Sequence, residues 1–174
     1  QKPTDVMDNT QTIRDLFQQL HGSCCNKLVA RACYSDYGIR FPEGLNYCED
    51  QLTIVRLLSN PVKCTYLNKA YYHYFDNPGS ITRHYQRSQY ETRLRFADLL
   101  TESLPTELID VILPKVRFGI FTEAVIYDVL TKEEVTCGLS KYKGQISQLG
   151  IRWRIGFKIL SLGFKQSSKL FLRY

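Results

Sequence analysis

The sequence predicts an α+β chain: a small mixed α/β beginning followed by a helical second half. Three observations carry this. Val62 to Phe75 is rich in β-branched and aromatic residues and runs into Asp76-Asn77-Pro78-Gly79, the pattern of a strand closed by a turn. Leu94, Ala97, Leu100 and Leu104 recur at helical spacing. The alternation of strand and helix that builds a parallel sheet is missing.

Residues 11 to 20 predict a helix with Ile13, Leu16, Phe17 and Leu20 on one face. His21 to Asn26 is turn-like, Lys27 to Cys33 is short and apolar, and Gly38 to Asn46, with Pro42 and Gly44, is a loop. From Glu49 to Ser59 a second helix carries Leu52, Ile54, Val55, Leu57 and Leu58. It is apolar on most sides and therefore expected to be buried, and Asn60-Pro61 ends it. A long helix is expected from about Ser80 to Leu104. Pro105 opens another that stops near Pro114, residues 116 to 129 are mixed, and Thr131 to Glu134 is a capping box that starts one more.

At 174 residues, with 44% hydrophobic and 23% charged side chains, the composition is that of one ordinary globular domain with a real core. Residues 1 to 149 hold 17 basic and 17 acidic side chains, so the net charge of +6 lies entirely in Arg152, Arg154, Lys158, Lys165, Lys169 and Arg173. Such asymmetry suits an anionic partner for the tail. The six cysteines, Cys24, Cys25, Cys33, Cys48, Cys64 and Cys137, lack metal-ligand spacing and are expected as reduced, mostly buried thiols. No apolar run is long enough to span a bilayer. The chain opens on Gln1 rather than Met, and an upstream part is expected to have been removed or never to have been built.

The most informative stretch begins with Asn26-Lys27-Leu28, continues through Tyr37-Gly38-Ile39-Arg40-Phe41-Pro42-Glu43-Gly44, and reaches Glu49-Asp50. Tyr71-Tyr72-His73-Tyr74 and Gly79-Ser80-Ile81-Thr82 follow. A Glu-Asp pair opening a helix is by itself a common helix start, because acids complement the N-terminal dipole. In this order and spacing, the set resembles the second half of bacterial family 2 glycosyltransferases, and the match covers roughly residues 10 to 85. Cys25 stands where an aromatic residue often precedes Asn-Lys-Leu, and Cys48 where a small residue often precedes Glu-Asp.

The resemblance implies the acceptor-side, C-terminal part of a GT-A-type, inverting, nucleotide-sugar-dependent transferase for capsule or lipopolysaccharide sugars. Inverting transfer needs a base near the acceptor hydroxyl, and the family likeness assigns it to Asp50, with Glu49 holding the acceptor or orienting the loop. Asn26, Lys27, Tyr72, His73 and Arg83 are implied as acceptor or diphosphate contacts, with His84 as a lesser candidate. A divalent metal, manganese or magnesium, is expected in the full-length enzyme, with ligands mostly outside this chain. The sequence holds no G-x-G-x-x-G, no G-x-x-x-x-G-K-[ST] and no Asp-x-Asp, so the chain alone is expected to be inactive.

In the tail, a helical wheel places Trp153, Phe157, Leu160, Phe164 and Phe171 on one stripe opposite Arg154, Lys158, Lys165, Lys169 and Arg173, the pattern of an interfacial helix on an anionic membrane. The alternative is that the stripe packs on preceding helices and the cations are solvated. Three segments are expected: 1–85 as the acceptor side of the catalytic domain, 86–149 as a helical region, and 150–174 as a basic amphipathic tail. The expected partners are a nucleotide-sugar donor, a saccharide or lipid-linked acceptor and the membrane surface, with no nucleic acid. The expected location is cytoplasmic, peripheral at the inner face of the cell membrane. The rival function is a helical binding module whose basic, aromatic tail contacts nucleic acid or serves as a docking helix.

Overall fold

The computed structural model describes residues 6–67, 69–73, 75 and 85–172. The chain divides into two compact units, one of residues 1–84 and 91–116, the other of residues 85–90 and 117–174.

In the first unit, α1 (Asn9–Leu16) is opened by Asp8, whose side chain accepts from the Gln11 amide at 2.7 Å. It starts two residues earlier than the apolar pattern suggested, because the cap decides the first turn. Ile13 and Leu16 face inward. A short 3-10 turn (Cys24–Asn26) and α2 (Arg31–Asp36) follow. Next comes α3 (Glu49–Leu58), buried on most sides as expected, with Leu52 and Val55 wholly inaccessible. The loop before it carries Gly38 and Gly44 at φ 63° and 68°. It is held by Arg95 of α4 (Arg87–Ser103), which donates to the Glu43 and Gly44 carbonyls at 3.1 Å each. Leu45 then drops into a core built with Leu52, Ile54, Val55, Phe96 and Leu100.

The expected α/β architecture is overturned. The described residues are helical, with no sheet, and the GT-A-type mixed sheet is absent among them. The described part of Val62 to Phe75 lies outside any strand. Its single pairing is an isolated antiparallel bridge between Met7 and Cys64, with the Met7 amide 2.8 Å from the Cys64 carbonyl. Asn9 Nδ2 adds bonds of 2.9 Å to the carbonyls of Asn60 and Val62. The physical reason is that β-branched and aromatic residues favour a pleated surface only where a neighbouring strand accepts their ladder bonds. Beyond Cys64, no described segment supplies a ladder.

A second correction concerns α5 (Thr106–Ile126), which does not stop near Pro114 but runs through it. Proline removes one helical hydrogen bond and crowds the carbonyl four residues back, a cost of about 3 kcal/mol in an isolated helix. Here Ile112 and Leu113 before it and Ile120, Phe121 and Ala124 after it are all buried, and that burial outweighs the break. The mixed stretch 116 to 129 therefore belongs largely to α5.

The second unit holds α6 (Lys132–Lys141), α7 (Lys143–Ser147), α8 (Ile151–Ser161) and α9 (Lys165–Leu172). The capping box is present in full: Thr131 Oγ1 accepts from the Glu134 amide at 3.2 Å, and Glu134 Oε2 accepts from the Thr131 amide at 2.8 Å. Phe118, Phe121, Tyr142 and Phe157 form an aromatic cluster. Phe121 lies so close over Gly138 that a Cβ there would strike its ring.

The tail is a helical hairpin rather than one helix, because Gly163 at φ 87° reverses the chain between α8 and α9. Its expected membrane stripe is mostly turned inward: Phe157 and Leu160 are buried, and Trp153 lies against Phe157 with ring centroids 6.4 Å apart. Gly156 receives Leu172 of α9, which is fully buried. Lys165 and Lys169 pair with Asp128 at 3.1 and 3.3 Å. No helix among the described residues is long and apolar enough to cross a membrane.

Candidate functional site

Two motifs that are far apart in sequence meet at the first turn of α3. Asp50 Oδ2 accepts from the Cys24 backbone amide at 2.9 Å and from Ser23 Oγ at 3.2 Å. The Asn-Lys-Leu segment is thus bound to the Glu-Asp segment through the turn that precedes it. Asp50 sits on a helix whose next residues are buried, so its carboxylate is held by a rigid element.

Lys27 Nζ donates to the His21 carbonyl at 2.5 Å, to the Ser23 carbonyl at 2.7 Å and to Asn26 Oδ1 at 2.7 Å. Three acceptors match the three donors of an ammonium group, so the side chain acts as a clamp on the turn. Burial pushes the Lys27 amine below its usual range, and the neighbouring Cys24, Cys25 and Asp50 oppose that push. Burial first, then the Asp50 carboxylate, raises the Cys24 thiol to about 11. Burial also raises Cys64, against the pull of Lys27.

On the other side of the Glu-Asp pair, Cys48 adopts a left-handed backbone at φ 60°, a strained choice for a side chain with a Cβ. It supplies no side-chain cap to α3, so Glu49 and Asp50 are the negative charges at that helix start. Burial drives its thiol up to about 12 despite nearby Arg93. The Arg93 guanidinium lies over the Tyr47 ring at 4.0 Å from its centroid.

The structure therefore gathers Asn26, Lys27, Glu49 and Asp50 in one neighbourhood. Tyr72 and His73 lie after α3 outside any helix or strand, both exposed. Arg83 and His84 fall outside the described residues. Leu28, the third residue of Asn-Lys-Leu, is 96% exposed beside this neighbourhood. Ser23 and Cys24 were not singled out by sequence, although they hold Asp50. No local signal marks them, because the bond spans 26 residues for Cys24 and 27 for Ser23. All six cysteines are free, but Cys25 and Cys137 are exposed and the other four half-buried, with Cys24, Cys48 and Cys64 packed against the edge of the core rather than within it.

Among the described residues, no group of three or more His, Cys, Asp or Glu could hold a metal ion. This neighbourhood offers a carboxylate and a clamped amine, not a ligand set. A groove of about 140 Å³ between α1 and the start of α5 is lined by Arg14, Phe17, Gln18, Val111, Ile112, Lys115 and Val116, none of them an expected site residue. No family model matches the chain, and no match is found among the curated proteins or the solved structures.

Proposed function

We propose that these residues form the acceptor-handling part of an inverting, nucleotide-sugar-dependent glycosyltransferase acting on bacterial capsule or lipopolysaccharide sugars. The observation that supports this is the anchoring of Asp50 to the turn leading into Asn26-Lys27, which draws two of the resembling motifs together at the end of a buried helix. The helical fold is not part of the support; the motif order and this convergence are.

In this reading, Asp50 takes the proton from the acceptor hydroxyl as that oxygen attacks the sugar carbon and the diphosphate departs on the opposite face. One carboxylate oxygen is held by Cys24 and Ser23, which fixes the direction of the other. Glu49 orients the acceptor. Lys27 shapes the turn that carries Asn26, while Tyr72, His73 and Arg83 serve acceptor or diphosphate. The donor and any divalent metal are bound by residues beyond these. The protein works in the cytoplasm at the inner face of the cell membrane.

The test is a transfer assay on the full-length product of the reading frame with a panel of uridine and guanosine diphospho-sugars. Turnover of at least one donor is expected, and Asp50→Asn should lower it roughly 100-fold with donor affinity unchanged. The 174 residues alone should bind none of these donors below millimolar concentration. Absence of turnover with every donor, or saturable donor binding by these residues alone, would overturn the proposal. A second reading, a helical binding module, gains from the all-helical described fold. It is favoured if the full-length protein binds a macromolecule but transfers no sugar.

A further inference from the structure

We propose that the outward face of α8, with the turn after it, docks on an anionic lipid bilayer, lying in the plane of its interface. The proposal does not depend on the transferase reading. It uses a mostly different face from the aromatic stripe that the sequence suggested, since Phe157 and Leu160 of that stripe are packed inward and Phe164 is the residue the two share.

Ile151, Ile155, Lys158 and Leu162 are spaced by four, three and four residues and so share one side of the helix. This side lies opposite the buried Phe157 and Leu160. Ile151 is 66%, Ile155 40% and Leu162 62% exposed, and Phe164, just beyond the Gly163 turn, is 61% exposed. Ile151 and Ile155 on a helix of 11 residues, about 16 Å long, with Leu162 and Phe164 at the turn that follows it, are more than scattered exposure. Arg154 and Lys158, both exposed, stand on the same side.

Charge identifies the occupant. From Val135 to Tyr174 the sequence contains no Asp or Glu, so nothing in that stretch repels an anionic surface. Two of its cations, Lys165 and Lys169, are paired with Asp128, and Arg154 and Lys158 on α8 are among those that remain to attract such a surface. An aliphatic stripe bordered by cations fits acyl chains beneath anionic headgroups. It fits nucleic acid less well, because three of the four apolar side chains are Ile or Leu, which give bases no ring to stack on, and Phe164 offers a single ring. The helix is too short to cross a bilayer, so it lies along the surface.

The experiment is co-sedimentation of the full chain with large vesicles of phosphatidylcholine alone and of phosphatidylcholine with phosphatidylglycerol, at low and raised salt. Binding to the anionic vesicles is expected, weakened by salt, with little to the neutral ones. The paired substitutions Arg154→Gln and Lys158→Gln should lower the partition coefficient roughly 30-fold. Ile155→Ser with Leu162→Ser should lower it roughly tenfold or more with the salt dependence retained. All four positions are exposed, so circular dichroism should show unchanged folding. A wild-type chain that ignores anionic vesicles at low salt overturns the proposal. So does binding that neither pair of substitutions alters, or preference for a single-stranded oligonucleotide over the vesicles.

Discussion

Replacing Asp50 separates its structural bond from its proposed chemistry. In the folded chain one carboxylate oxygen holds the Cys24 amide at 2.9 Å and Ser23 Oγ at 3.2 Å. The Ser23 hydroxyl also has Cys25 Sγ at 2.8 Å, so its loss is partly covered, whereas the half-buried Cys24 amide has no second acceptor among the described residues. Asp50→Ala removes a hydrogen bond to a charged group, worth about 2 kcal/mol, and a favourable charge at a helix start, worth about 0.5 kcal/mol. Asp50→Asn keeps an acceptor oxygen of the same size and forfeits only the charge-dependent share, about 1 kcal/mol. With a Tm shift of about 2–4 °C per kcal/mol for a chain of this size, Asn should melt a few degrees lower and Ala about 5–10 °C lower. Thermal melts followed by circular dichroism measure this, and amide exchange at Cys24 should quicken in the Ala variant most. Equal destabilisation by Asn and Ala, or none by Ala, would refute the bonding account. In the transfer assay proposed above, an Asn variant that melts lower but turns over normally would reduce Asp50 to a structural residue.

Gly138→Ala should destabilise the second unit by about 1–2 kcal/mol, since overpacking against Phe121 exceeds the helix-propensity gain of about 1 kcal/mol; adding Phe121→Leu should recover part of the loss in the same melts. The hydrogen bond from Arg87, then that from the Thr131 amide, holds the Glu134 carboxyl at about 2, below its ordinary 4.5. Because this pKa is depressed, its contribution is complete above pH 4.5 and fades as pH falls toward 2. For so exposed a pair it amounts to about 1 kcal/mol at most, and Glu134→Gln should flatten that part of the stability–pH curve. With its thiol raised to about 11, Cys24 is only about one part in a thousand thiolate at pH 8, so alkylation there should be slow and should quicken in Asp50→Ala; fast alkylation in the wild type would contradict the cause assigned. Asp128→Asn keeps a residue type that tolerates its φ of 59° but loses the charge facing Lys165 and Lys169. It should therefore raise exchange in α9 with a stability loss of about 0.5–1 kcal/mol.

The sequence by itself determined those elements whose causes are local. The capping box at Thr131 and the apolar, buried α3 could be placed from residues a few positions apart, because cap bonds and helical periodicity act within a turn or two. The Pro/Gly loop before α3 was legible for the same reason, since Gly38 and Gly44 supply the positive φ the turns need. The Glu-Asp pair and Asn26-Lys27 could be chosen as site candidates by motif order alone. Their junction could not, since it rests on Ser23 and Cys24, whose bonds to Asp50 span more than 25 residues. Tertiary structure also decided two features that local pattern misread and one, the tail, that it left open. Val62 to Phe75 has the composition of a strand, but ladder bonds need a neighbour that composition cannot provide. Pro114 breaks an isolated helix, yet the apolar residues buried on both sides of it keep α5 continuous. In the tail, periodicity showed that α8 has two faces but not which of them faces inward. Burial of Phe157 among Phe118, Phe121 and Trp153, with Leu172 seated on Gly156, settled that, because packing compares whole surfaces while a helical wheel sees only one.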